Sequence, residues 1–332
     1  MSRRTSDSQK LFSAAAGGDR GSLARLLSLI ESGGDEAREI GRLSFPLTGG
    51  GYSVGITGAP GAGKSTLTSA IIGNLRGGST SGAPNVAVLA IDPSSPFTGG
   101  AILGDRVRMQ DHATDEGVFI RSMATRGHLG GLSLATSEAM RLLDAMKYQW
   151  ILVETVGVGQ VEVEIAGAAD CTIVVVNPGW GDAVQANKAG LLEIADVFVI
   201  NKADRAGVTE TRRDLEQMLE LSELDANAWR PPIVATIATS AEGVDELWSH
   251  VLRHRAFIES NGDLNTRRTG RLRKELNTII ESKLEQRARA ICSGPRWKSL
   301  EDQVLSHNLD PWNAADQMLE RILEGPLQGP GE

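Results

Sequence analysis

The stretch "GITGAPGAGKST", residues 55–66, decides the fold class of this chain. Gly58 is followed after four residues by Gly63, Lys64 and Ser65, which is the pattern of a phosphate-binding P-loop. The glycines let the backbone curl so that its N–H groups point at phosphate oxygens, the lysine reaches the β- and γ-phosphates, and the serine hydroxyl is suited to ligate Mg²⁺. The residues predicted to bind the nucleotide phosphates are Gly58, Ala59, Gly61, Ala62, Gly63, Lys64, Ser65 and Thr66. Lys64 is also predicted to act in catalysis.

From residue 52 onward, seven near-continuous apolar runs alternate with helical patterns, as parallel strands covered on both faces do. The predicted strands are "YSVGITG" at 52–58, "NVAVLAID" at 85–92, "GVFIRSM" at 117–123, "WILVET" at 150–155, "CTIVVVN" at 171–177, "VFVINK" at 197–202 and "PIVATIAT" at 232–239. This pattern predicts an α/β fold with a doubly wound, mostly parallel sheet. We assign residues 1–48 to a helical N-terminal arm, 49–255 to the P-loop domain and 256–332 to a helical C-terminal extension.

Composition excludes several function classes. The chain has 332 residues, 41% of them hydrophobic, and a net charge of −8, which disfavours nucleic acid as a ligand. No apolar run approaches the roughly 20 residues of a membrane span. The only cysteines are Cys171 and Cys292, which predict a reducing compartment, with the cytoplasm as the expected one, and neither a disulfide framework nor a zinc site.

The base-binding motif follows a later strand. "VFVINKAD" places Asn201, Lys202 and Asp204 in the N-K-x-D arrangement of guanine-binding proteins. An aspartate carboxylate can accept from guanine N1–H and the exocyclic amino group together, a two-bond match that adenine lacks. A second base-side loop is predicted at Ser240 and Ala241, after the next strand. The sequence therefore predicts GTP and GDP as ligands.

A carboxylate ends the buried strand "WILVET". In the usual order of GTPase motifs a D-x-x-G segment lies between the P-loop and N-K-x-D, and "ETVG" fills that place with Glu154 and Gly157. We expect Glu154 to face Mg²⁺ and the Gly157 N–H to sense the γ-phosphate. Val158 stands where signalling GTPases carry their water-orienting glutamine, so Gln160 becomes the candidate for that role.

Two further acids lie in "LAIDPSSPFTGGAILGDRVRM". Asp92 ends a predicted strand, and Asp105 lies in a glycine-rich loop of the kind that phosphate and metal can order. Two alternatives stay open: Asp92 as a helix N-cap or Asx turn, and Asp105 as an exposed acid paired with a neighbouring arginine.

Together these stretches resemble the MeaB-type GTPases, relatives of the methylmalonic aciduria type A protein. The likeness extends over roughly residues 55–250 and includes "FIRSMATRGHLGG", "ETVGVGQVEVEIAGAAD" and "NPGWGDAVQANKAGLLEIADVFVINKAD". One departure is Val161, where the family pattern has serine after Gln160, and it puts a polar role for this position in doubt.

The resemblance implies a GTPase chaperone of an adenosylcobalamin-dependent acyl-CoA mutase, with methylmalonyl-CoA mutase the favoured client. GTP binding and hydrolysis would gate cofactor delivery and help to keep the mutase active. By position, Asp92, Asp105 and Glu154 match the acids on the Mg²⁺ side, and Lys188 matches a residue that meets the nucleotide. The resemblance also implies a homodimer made by the C-terminal extension.

Other functions compete with this one. A nickel-insertion GTPase would need a site rich in cysteine and histidine, and a small-molecule kinase would prefer ATP and carry an arginine-rich lid. A scaffold would bind nucleotide as a structural element only. We rank all three below the slow, partner-stimulated GTPase that the missing glutamine at Val158 predicts.

The C-terminal extension begins with a basic, amphipathic segment. Over residues 266–289 it carries eight basic and three acidic side chains, and we expect them to form a solvated helix face. An apolar stripe suited to packing or dimerisation consists of Leu272, Leu276, Ile279, Ile280 and Leu284.

Overall fold

A computed structural model describes most of the chain. The described residues are 3–77, 82–92, 110–112, 114–124, 134–155, 167–179, 193–221, 225, 227–292 and 294–324. The chain divides into two compact units, Met1–Arg271 and Leu272–Glu332. No described helix is both long enough and apolar enough to cross a membrane.

The first unit is built on a seven-stranded sheet in which every pairing of strands is parallel. The strands are β1 (Tyr52–Gly58), β2 (Val86–Asp92), β3 (Val118–Ala124), β4 (Trp150–Thr155), β5 (Cys171–Val176), β6 (Val197–Asn201) and β7 (Ile233–Thr236), in the order β3-β2-β4-β1-β5-β6-β7. All seven predicted strands are present, and the predicted α/β fold class is confirmed. β1 lies at the centre, where chain connections leave in both directions, and ligands of such sheets bind at the carboxyl ends of the strands near this point.

Helices cover the sheet. In the described part of the chain they are α1 (Arg3–Ala16), α2 (Arg20–Ser32), α3 (Gly34–Ser44), α4 (Lys64–Arg76), α5 (Leu134–Ala145), α6 (Val208–Leu221) and α7 (Val244–Ser260). The N-terminal helices share a core with β2, β3 and β4, in which Leu26, Leu27 and Ile40 are fully buried beside Leu89 and Val153. The segment before β1 is therefore packed on the sheet through an apolar interface.

The first turns of α8 (Asp263–Ile291) bind the amino-terminal ends of β5 and β6. Arg267 forms a bidentate ion pair with Asp196, at 3.1 and 3.2 Å, and Arg268 lies 2.7 Å from Asp170. Arg271 also pairs with Asp170 and donates to the Ala169 carbonyl at 2.7 Å. The prediction of a solvated basic face is wrong for these three arginines, because both carboxylates are buried.

The second unit contains the rest of α8, then α9 (Pro295–Leu305) and α10 (Pro311–Glu324). The sequence "SGP" at 293–295 is a pattern that usually ends a helix. Pro295 instead begins α9, because proline has no N–H to lose at the first helical position and its φ angle suits that position.

Candidate nucleotide-binding site

The P-loop joins β1 to α4, and its glycines have no substitute. Gly58 has φ +131° and lies against the Val175 carbonyl of β5, so that a Cβ here would overlap that oxygen. Gly63 has φ +91°, and a Cβ there would overlap the side-chain amide of Asn201. Both positions need positive φ and close backbone approach, which glycine alone provides without strain. The result is a tight cradle at the N-terminus of α4.

Lys64 lies inside this cradle. Its side chain is 7% exposed, and Nζ donates to the carbonyls of Gly58 at 2.6 Å and Ala59 at 3.1 Å. The ammonium group is thereby held within the curve of the loop beside the N-terminal end of α4. Both the positive charge and the helix end favour a bound phosphate.

Glu154 is buried at the end of β4 and faces α4. It is 2% exposed, and its carboxylate accepts hydrogen bonds from Ser65 Oγ at 2.5 Å and from Thr68 Oγ1 at 3.1 Å. The hydroxyl predicted to ligate Mg²⁺ and the acid predicted to face it therefore meet, although they are 89 residues apart in sequence. A hydroxyl and a carboxylate are oxygen donors of the kind that Mg²⁺ prefers. The described donor set fits that ion.

Asn201 connects three segments at the carboxyl edge of the sheet. Its Nδ2 donates to the P-loop carbonyl of Ala62 at 2.8 Å, and its Oδ1 accepts from Thr236 Oγ1 and from the Ala238 N–H, both at 3.2 Å. At 2% exposed it is buried in these contacts. The side chain thus holds the phosphate loop and the predicted base-binding loops in a fixed relation.

The other residues of the predicted base-binding loops lie around Asn201: Lys202, Asp204, Ser240 and Ala241. Lys202 Nζ donates to the Gly61 carbonyl at 2.6 Å, so its aliphatic stem extends alongside the P-loop. The Asp204 side chain is exposed and accessible to a base. Ala241 has φ +59° in the exposed loop after β7, next to Ser240. The loops after β6 and β7 are joined by the Ala203 N–H, which donates to the Thr236 carbonyl at 3.0 Å.

Several predicted site residues lie outside the described part of the chain: Asp105, Gly157, Gln160 and Lys188. For Asp92 the structure describes the backbone, which ends β2, and not the side chain. The sequence analysis missed Thr68. The available signal was its position three residues after Ser65, which places both hydroxyls on one face of α4.

A second group of potential metal ligands lies at the other end of the sheet. Cys171, Asp196 and His254 are buried, with ligand atoms within 4.8 Å of one another. Burial raises the pKa of the Cys171 thiol, and the carboxylate of Asp196 already accepts from Arg267 and from the Thr172 N–H. A guanidinium beside the carboxylate opposes a dication, so this cluster is better described as part of the ionic contact with α8.

Comparisons with known proteins agree with this geometry. A family model described as methylmalonyl-CoA mutase-associated GTPase MeaB matches residues 23–293. A relative in Pyrococcus abyssi is 49% identical over 312 residues, covering 93% of this chain and 95% of that protein. The GTPase ArgK of Escherichia coli is 39% identical over 255 residues, covering 74% of this chain and 76% of its own.

Two further similarities extend the comparison. The mouse protein named methylmalonic aciduria type A homolog, mitochondrial, is 32% identical over 332 residues, covering 94% of this chain and 78% of its own. Among solved structures, that of a LAO/AO transport system kinase has a TM-score of 0.69 at 26% identity, covering 96% of this chain and 98% of that one.

Proposed function

The chain belongs to the family of methylmalonyl-CoA mutase-associated GTPases, MeaB, and we propose that it is a cytoplasmic chaperone of an adenosylcobalamin-dependent acyl-CoA mutase. Members of this family are GTPases that bind guanine nucleotides. In the proposal, hydrolysis is slow in the free protein and rises on contact with the mutase, so that nucleotide state gates cofactor delivery and protects mutase activity. The family name and the name of the mouse relative support methylmalonyl-CoA mutase as the client.

The observation that carries the proposal is the contact of Asn201 with the P-loop at Ala62. Through it, one ligand can meet the phosphate cradle and the N-K-x-D loop at the same time. We assign the phosphates to the P-loop backbone and Lys64, the guanine edge to Asp204, and the base plane to the Lys202 stem. The loop at Ser240 and Ala241 closes the base side.

The proposed metal is Mg²⁺, which when bound neutralises charge that develops between the β- and γ-phosphates. Ser65 would hold it directly. The Ser65 hydroxyl donates its hydrogen bond to Glu154, which leaves the oxygen lone pairs of Ser65 directed away from the carboxylate and available for a cation. We place Asp92 and Asp105 on the same side of the nucleotide. Gly157, Gln160 and Lys188 are proposed to sense the γ-phosphate, orient the attacking water and contact the nucleotide, respectively.

We also propose that the protein is a homodimer formed through its C-terminal extension. On α8, Leu272, Leu276, Ile280 and Leu284 recur every four residues or so and are 45–58% exposed. Trp312 on α10 is 83% exposed. A row of exposed leucine and isoleucine side chains along one helix is the feature that a second copy would cover.

Nucleotide selectivity tests the assignment of the base site. In titration calorimetry with Mg²⁺ we expect GDP and GTP to bind and ATP to bind far more weakly. Asp204→Asn should reduce the preference for guanine about tenfold or more, because the amide cannot accept both guanine hydrogen bonds. Asp302→Asn, at an exposed position of α9, is the matched control and should bind as wild type. Unchanged selectivity in Asp204→Asn would remove the base site from the proposal.

A further inference from the structure

Thr68 lies one turn after the P-loop, on the face of α4 that meets β4. Its side chain is fully buried, and Oγ1 is 3.1 Å from Oε2 of Glu154. Ser65 Oγ contacts the other carboxylate oxygen, Oε1, at 2.5 Å. Two hydroxyls from consecutive turns of one helix therefore bind the two oxygens of one carboxylate.

The Thr68 hydroxyl has one hydrogen and two acceptors within reach. Besides Glu154 Oε2, the Lys64 carbonyl lies 3.0 Å from Oγ1. That carbonyl already accepts within the helix from the residue 68 N–H, whereas each oxygen of a carboxylate has room for more than one donor. Hydrogen bonds to charged acceptors are the stronger ones. The hydrogen of Thr68 therefore goes to Glu154.

Because the side chain of glutamate is long, the hydrogen bond from Thr68 helps to orient the carboxylate of Glu154. Compared with aspartate, glutamate has one more rotatable bond between the backbone and the carboxylate, and fixing that bond costs entropy. A carboxylate that loses its contact at Oε2 has one constraint fewer on its orientation about the Ser65 contact. Contact at Oε2 fixes the plane of the group as well as its position, and so fixes the direction in which Ser65 presents its lone pairs.

We propose that Thr68 is a positioning residue for Glu154: it anchors Oε2 so that Oε1 stays on the Ser65 hydroxyl, and thereby sets the affinity of the site for Mg²⁺. This inference rests on the proposed GTP and Mg²⁺ site. The competing description is a buried threonine whose hydroxyl serves only the Lys64 carbonyl, as threonines in helices often do. The two descriptions differ in what happens to Glu154 when the hydroxyl is removed.

The test compares Thr68→Val, which removes the hydroxyl at nearly constant shape, with Thr68→Ser, which keeps it. The first readout is the carbon-13 chemical shift of the Glu154 carboxyl group in the nucleotide-free protein, measured at one fixed pH with labelled glutamate. Loss of the hydrogen bond at Oε2 should shift that signal in Thr68→Val, whereas Thr68→Ser should keep it near the wild-type position. This readout needs neither nucleotide nor metal.

The second readout is Mg²⁺ titration of the GDP complex, together with steady-state GTP hydrolysis. Thr68→Val should bind GDP in EDTA as wild type does, weaken apparent Mg²⁺ affinity about tenfold and lower kcat more than KM. Thr68→Ser should restore both. Thr136→Val, a buried threonine of α5, is the matched control and should leave every readout unchanged. Thr68→Ala replaces Thr68→Val if the valine variant does not fold.

The outcomes separate the inference from the function on which it rests. An unchanged Glu154 carboxyl chemical shift and unchanged Mg²⁺ affinity in Thr68→Val would overturn the role of Thr68. Equal losses in Thr68→Val and Thr136→Val would also overturn it, since they would reflect packing alone. Wild-type protein that binds guanine nucleotide without any Mg²⁺ dependence would contradict the proposed function, while the comparison of Glu154 chemical shifts would still decide whether Thr68 anchors Glu154.

Discussion

Asn201 is the residue on which the candidate site depends most. The N-K-x-D motif is typical of base-binding sites, yet in this structure the asparagine side chain forms hydrogen bonds with protein: with Ala62 of the P-loop, with Thr236 at the end of β7 and with Ala238 after it. Its role is to fix the distance between the phosphate cradle and the base loops. In the proposed function, selectivity itself is assigned to the exposed Asp204.

Asn201→Ala should therefore damage stability and affinity together. Leaving buried partners without hydrogen bonds costs about 1–3 kcal/mol, and we expect the free energy of unfolding to fall by about 2–3 kcal/mol. Because the variant lacks the hydrogen bond from residue 201 to the Ala62 carbonyl of the P-loop, affinity for GDP should fall even when the base contacts remain. Urea unfolding and calorimetry measure the two effects. Asn308→Ala, at an exposed position, is the control. A variant that is as stable as wild type and binds GDP with wild-type affinity would contradict the role of Asn201 in connecting the P-loop to the base loops.

At this scale sequence alone predicted Glu154 and missed Thr68. Glu154 could be predicted because a charge that ends a buried strand is unusual and needs a partner. Thr68 could not, because threonine inside a helix is common, and only the packing of α4 on β4 shows that its hydroxyl meets a carboxylate. The same packing brings together Ser65 and Glu154, whose contact the motif order predicted only indirectly.

Among the elements, α8 forms ion pairs with buried carboxylates in its first turns and carries a row of exposed leucine and isoleucine side chains farther along. Burial raises the pKa of Asp170, but the hydrogen bond from Arg268 and the charges of Arg271 and Arg268 lower it by more, so the pKa lies below its ordinary value of 3.8. The same balance holds for Asp196. Burial raises its pKa, but the contacts with His254 and Arg267 lower the pKa by more, so that it lies below 3.8. Both carboxylates are ionised at neutral pH.

Because the folded pKa of Asp170 lies below the unfolded one, its contribution to stability is present above the unfolded pKa and is lost as pH falls toward the folded value. Asp170→Asn should lower the free energy of unfolding by about 3 kcal/mol at pH 7, since it removes one partner of a buried ion pair. The difference from wild type should shrink as pH falls below about 5 and through the ordinary carboxyl range toward the lower folded pKa. Urea unfolding at a series of pH values measures it.

The control for this prediction is Asp35→Asn. Asp35 pairs with Arg38 on α3 at 3.3 Å, but the two side chains are 95% and 56% exposed, so the pair should contribute less than about 1 kcal/mol. Equal destabilisation by the two variants, or a loss in Asp170→Asn that does not depend on pH, would show that the ionic contact does not hold α8 to the sheet.

Sequence could not predict this contact. Eight basic residues near an apolar stripe indicate a solvated helix face, and the two acids that three of them bind, Asp170 and Asp196, lie about 70–100 residues earlier in the chain. Single acids before strands give no sign of being buried. Pro295, in contrast, could have been interpreted as a helix start, because proline favours the first helical position.

For the whole molecule, the α/β fold could be predicted because strands buried on both faces have continuous runs of apolar residues in the sequence. The strand order was not predictable from these runs, since any of them could neighbour any other. The strand order matters for the site. It places β4 on one side of β1 and β5 followed by β6 on the other, so that Glu154 of β4 and Asn201 of β6 lie on opposite sides of the P-loop. The domain boundaries at 48/49 and 255/256 and the homodimer stay predictions.

In the proposed function, a mutase partner stimulates GTP hydrolysis at this site. The most direct measurement is GTP turnover with Mg²⁺, alone and with a purified adenosylcobalamin-dependent acyl-CoA mutase. ATP serves as the nucleotide control and Lys64→Ala as the inactive variant. We predict a slow rate with GTP only, which rises severalfold as the mutase is added and saturates with its concentration. A rate that the mutase leaves unchanged at saturating concentration would contradict the chaperone function.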